Sequence, residues 1–73
     1  MELYFSRHAK RQMKWREISE DEVRQTVFAP ESVEDSTGAR KNAFRHLGTK
    51  WLKVTFLLEG ERITIITVID KSR

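Results

Sequence analysis

The chain has no cysteine, one proline and three glycines among its 73 residues, and each shortage removes a class of protein. Without cysteine there is neither a disulfide framework nor a thiolate metal site, so packing and hydrogen bonds must hold the fold. So few breakers leave no linker, repeat or low-complexity segment, and they become punctuation: Pro30 ends a helix, while Gly38, Gly48 and Gly60 mark turns. No apolar run approaches the roughly 20 residues that span a bilayer, so no membrane role is expected. The N-terminus lacks the basic, apolar and small-residue succession of a signal peptide, which makes a cytoplasmic location the expectation. A chain of this length buries only roughly 60% of its unfolded surface, implying one domain over residues 1–73 with a small core.

What is abundant is charge, 34% of residues with a net of +3, and it is unevenly placed. Residues 7–16 carry Arg7, Lys10, Arg11, Lys14 and Arg16 with no acid, and residues 36–58 carry Arg40, Lys41, Arg45, Lys50 and Lys53 with none. Glu17, Glu20, Asp21 and Glu22, then Glu31, Glu34 and Asp35, lie between them. Basic segments that converge in a fold make a polyanion site; left apart they are solvated surface.

Periodicity orders the chain as β-α-α-β-β-β-β, an α+β domain with two N-terminal helices on an antiparallel sheet of four or five strands. A short apolar strand at 3–5 precedes a helix at 7–16. Ser19-Glu20-Asp21-Glu22 is a capping box, with Ile18 and Val23 placed as a hydrophobic staple, so a second helix starts there and ends before Pro30. Strands are expected at 32–35, 40–47, 51–58 and 62–70, the last two joined by Glu59-Gly60-Glu61. Alternation sends Leu52, Val54 and Phe56 to the core with Met13, Val23 and Val27, and leaves Trp51, Lys53 and Thr55 on the other face. The last strand is β-branched on both faces, as in a central strand or one that pairs with another chain, and strict alternation groups Thr67 with Ile63, Ile65 and Ile69. Trp15 is read as packing, and Trp51 as either packing or a stacking platform.

On the first helix, His8, Gln12 and Arg16 recur every four residues along one stripe beside Ala9 and Met13, at the border of core and surface. Imidazole moves protons near neutral pH and guanidinium holds phosphate, so the stripe suits phosphodiester chemistry; in the plainer reading His8 caps the helix. His46 has no His, Cys or carboxylate at ligand spacing, so no metal and no cofactor is expected.

The pattern Phe5-Ser6-x-His8-Ala9, Met13, Arg16, Ile18-Ser19, Val23, Pro30-Glu31, Gly38-Ala39-Arg40, Trp51-Leu52-Lys53-Val54 and Ile66-Thr67-Val68 resembles the DUF4258 family over nearly the whole chain. That family is similar to the RelE-like toxins and to the group joining barnase, EndoU, colicin and RelE nucleases. The resemblance implies a RelE-like domain whose sheet meets RNA, and a metal-independent endoribonuclease, the toxin of a toxin-antitoxin pair, acting on RNA that includes ribosome-bound mRNA. For the chemistry of such a site, His8, Arg16, Lys53 and Thr67 are the candidate catalytic residues, and Arg11, Gln12, Arg40, Arg45, Lys50 and Trp51 the candidate RNA contacts. The family's usual arginine is Gln12 here, and its usual glycine is Glu17; Arg11 projects about 100° away from the stripe, too far for a simple replacement. A non-catalytic RNA-binding module and a small protein-interaction domain pairing through its last strand stand as the alternatives.

Overall fold

A computed structural model describes residues 2–72. The elements are β1 (Glu2–Phe5), α1 (Arg7–Arg16), α2 (Glu20–Phe28), β2 (Ser32–Asp35), β3 (Arg40–Leu47), β4 (Lys50–Glu59) and β5 (Arg62–Asp70), the order expected. Local chemistry sets their ends. The Ser6 hydroxyl accepts from the Ala9 amide and caps α1. The Ser19 hydroxyl accepts from the Glu22 amide while the Glu22 carboxylate accepts from the Ser19 amide, which completes the capping box of α2. Ile18 and Val23 are buried around that cap. α1 stops at Glu17, which takes a left-handed conformation at φ 55° and ψ 47°. Gly48 and Gly60 turn the β3–β4 and β4–β5 hairpins with φ near 60°, a region that glycine enters without a Cβ clash.

The five strands form one sheet in the order β1-β5-β4-β3-β2. The pairs from β2 to β5 are antiparallel, but β1 runs parallel to β5, with Glu2 opposite Arg62 and Phe5 opposite Ile65. The sheet is therefore mixed rather than antiparallel. Running parallel, β1 delivers Ser6 to the middle of β5, where its amide donates to the Ile65 carbonyl and its hydroxyl to the Ile66 carbonyl. α1 then continues along the rest of β5 and packs Ala9 and Met13 onto it. An antiparallel β1 would have released α1 at the Arg62 end, away from that core.

Both helices cover one face, α1 over β5 and α2 over β3 and β4. Beneath them Ala43, Leu52, Val54, Phe56, Ile63, Ile65 and Val68 join Met13, Ile18 and Val23 in a single core, with Val27 packed at its border. β5 sits between β1 and β4, so its two-sided apolar character answers to a central position in the sheet. A bulge opposite Thr55 and Phe56 reverses its alternation: Ile63 and Ile65 face the core, then Val68 does, while Thr67 pairs with Thr55 on the uncovered face. Thr67 is thus separated from the Ile63 and Ile65 face that unbroken alternation assigned to it.

Candidate nucleic-acid interface

Among the described residues no helix covers the face opposite α1 and α2, and the strand register arranges it in rows, with Asn42 and Thr55 buried at its centre. One row is Glu34, Asn42, Thr55 and Thr67. Here the Thr55 hydroxyl donates to Asn42 Oδ1 at 2.7 Å and the Asn42 amide reaches Glu34 at 3.5 Å. The next row is Ser32, Phe44, Lys53 and Ile69. The third joins His46 to Trp51, whose carbonyl accepts from the Lys71 amide.

That third row carries most of the recognition chemistry. The His46 and Trp51 rings stack with centroids 5.1 Å apart and planes 5° from parallel, and Phe44 meets Trp51 at 6.4 Å. The Lys71 ammonium lies 4.8 Å from the Trp51 centroid and 5.4 Å from that of Phe44, within cation-π range. Glu31 grips His46 at two points: Oε2 accepts from its backbone amide and Oε1 lies 2.9 Å from Nδ1. The hydrogen bonds from the His46 ring and amide hold the Glu31 carboxyl below its ordinary pKa, with Arg45 adding a smaller effect.

The expected site residues fall into groups. Trp51, Lys53, Thr67 and Arg40 lie on the open face by register. Lys53 and Arg40 form no ion pair among the described residues. His8, Gln12 and Arg16 share the α1 stripe that borders the open edge of β5, and Gln12 Oε1 accepts from the Val68 amide at 2.9 Å. His8 is exposed and makes no hydrogen bond among the described residues, so Ser6 alone supplies the side-chain cap of α1. Arg45 and Lys50 lie on the helix side, and both are engaged. Arg45 donates to the Ala29 carbonyl at 2.6 Å, and Lys50 donates to the Glu17 carbonyl and pairs with Glu22 at 3.0 Å. Arg7, Lys10, Arg11 and Lys14 are exposed on the helix side of the sheet, and the second basic segment is itself split, with Arg40 and Lys53 on the open face and Arg45 and Lys50 on the helix side. Trp15, read from sequence as packing, is 78% exposed: it stands about 200° around the helix from Met13.

Sequence reasoning missed Glu31, His46 as Glu31's partner, Phe44 and Lys71. Fifteen residues separate Glu31 from His46, and only the β2–β3 register brings them together. Lys50 did leave a signal, since it shares the parity of the core residues Leu52 and Val54.

No group of three or more His, Cys, Asp or Glu among the described residues could hold a metal ion. No helix among them is long and apolar enough to cross a membrane. A family model described as a domain of unknown function, DUF4258, matches residues 5–70. No curated protein and no solved structure matches the chain.

Proposed function

The chain belongs to the DUF4258 family, and from its helix-free sheet face we propose that it is an RNA-binding protein that lays a single strand across that face and cleaves it without metal. The observation that carries this reading is the half-buried Trp51 on the sheet face away from the helices, with the His46 ring stacked against it, the Lys71 ammonium 4.8 Å from its centroid, and Phe44 and Lys53 on the neighbouring row. Aromatic rings on an open sheet stack bases whatever their sequence, and neighbouring cations follow the phosphates. Two imidazoles are candidates for proton transfer, His8 on the α1 stripe and His46 on β3, and attack by a ribose 2'-OH needs a proton acceptor and charge stabilisation but no metal-bound water. Arg16, Lys53 and Thr67 are the other candidates for that site. A toxin of a toxin-antitoxin pair is the biological role that fits, and an antitoxin would block the face with an acidic segment.

One observation favours a non-catalytic RNA-binding module as the second reading. Gln12, on the stripe it shares with His8, uses its side-chain oxygen on the Val68 amide and brings no charge to a phosphate.

Binding and cleavage of a labelled, unstructured oligoribonucleotide test both. Affinity should fall by roughly 0.7 log unit per log unit of salt for each phosphate neutralised. In EDTA the RNA should be cut to a 2',3'-cyclic phosphate while DNA stays whole. Binding without cleavage selects the second reading, and no binding at low salt removes both.

A further inference from the structure

We propose that the His46–Glu31 pair is the proton-transfer group of this RNA site, with Lys71 as the adjoining cation. The proposal rests on the endoribonuclease reading. A general base works best when a second group orients it, and among the described residues only one of the two imidazoles is so held. Glu31 Oε1 lies 2.9 Å from His46 Nδ1, and Oε2 accepts from the His46 amide. Glu31 is itself tied to β3 through its own amide, which donates to the Phe44 carbonyl at 2.8 Å. The ring has little freedom left, because it also lies flat against Trp51. A carboxylate at Nδ1 favours the tautomer with its proton there, which leaves Nε2 as the basic nitrogen of an exposed side chain. A nucleotide laid across this row would bring its ribose and phosphate beside the His46 ring and the Lys71 ammonium. His8 makes no hydrogen bond among the described residues that would orient it.

In the step itself Nε2 takes the 2'-OH proton and the 2'-oxygen forms its bond to phosphorus. The bond from phosphorus to the 5'-oxygen breaks, and that oxygen takes a proton from water. The products are a 2',3'-cyclic phosphate and a 5'-OH, and the imidazolium returns its proton to solvent. Lys71 balances charge on the non-bridging oxygens, and Glu31 steadies the imidazolium as it forms.

The test is single-turnover cleavage of an unstructured oligoribonucleotide in EDTA by the parent, His46→Ala, Glu31→Gln and His8→Ala, with each Kd measured by fluorescence anisotropy. His46→Ala should slow cleavage by roughly 10²- to 10⁴-fold, with a much smaller change in Kd, and free imidazole in the buffer should restore part of the rate. Glu31→Gln should lower the rate constant rather than the affinity and should not respond to imidazole. Cleavage by His46→Ala at the parental rate, with His8→Ala inactive, overturns the pair and leaves the nuclease reading standing. A parent that binds RNA and never cuts it removes both.

Discussion

Gln12 offers the sharpest test of how α1 is fastened to the sheet. β1 stops pairing at Ile65, so among the described residues the outer edge of β5 beyond it has no neighbouring strand. The Val68 amide on that edge belongs to a fully buried residue, and Gln12 Oε1 is its acceptor at 2.9 Å. Gln12→Arg replaces an acceptor with a group that can only donate, and the guanidinium also directs charge at an N–H. A buried amide left without a partner costs about 1–3 kcal/mol. For a domain of this size each kcal/mol moves Tm by roughly 4–8 °C, so the variant should melt about 4 to 24 °C below the parent. Gln12→Glu keeps an oxygen in place and should lose much less. Thermal and urea unfolding followed by circular dichroism measure both. The reasoning fails if Gln12→Arg melts with the parent, or if Gln12→Glu is the less stable of the two. Cleavage per folded molecule, followed in parallel, tests the separate expectation that an arginine at this position speeds the reaction.

Glu17 occupies a left-handed conformation that costs a residue bearing a Cβ about 1–2 kcal/mol, and glycine returns part of that through its freer unfolded chain. Glu17→Gly should therefore stabilise the fold by about 0.5–1 kcal/mol, seen as a rise in the urea midpoint at unchanged slope. Lys50 donates to the Glu17 carbonyl, which survives the change. The Glu22 carboxyl has a folded pKa below its ordinary 4.5, since burial, which would raise it, is outweighed by the Ser19 amide and then by Lys50. A group depressed in the folded state adds stability above its unfolded pKa and loses it as pH falls through the folded value, so acidification below about 4.5 should weaken the parent more than Glu22→Gln. Equal pH dependence of the two in urea titrations would count against the Ser19–Glu22–Lys50 linkage. Trp51→Ala should weaken single-stranded RNA binding by about 1–3 kcal/mol, the usual value of one stacked base. Trp15→Ala, on the helix side, should barely alter it in the same anisotropy assay.

Elements whose formation depends on residues a few positions apart were legible from the sequence. Ser19 and Glu22 satisfy each other's backbone donors within one turn, so the start of α2 followed from four letters. Alternation in β4 separated Leu52, Val54 and Phe56 from Trp51 and Lys53, because the pleat has period two wherever a strand lies. The His8, Gln12 and Arg16 stripe beside Ala9 and Met13 was likewise a property of helical spacing, and Gln12 and Arg16 lie half-buried at the core border as expected, whereas His8 is exposed. Partner, direction and register belong to the tertiary structure alone. β1 lies parallel to β5 because it must release α1 where Ala9 and Met13 can be buried, and no pattern within residues 2–5 carries that condition. A single bulge residue moved Thr67 to the open face, since one insertion inverts the parity of everything after it. Arg45 and Lys50 read as free cations until the helix ends came within reach of them. Glu31 met His46 only when β2 aligned with β3: a hydrogen bond depends on distance in space, and separation along the chain does not encode it.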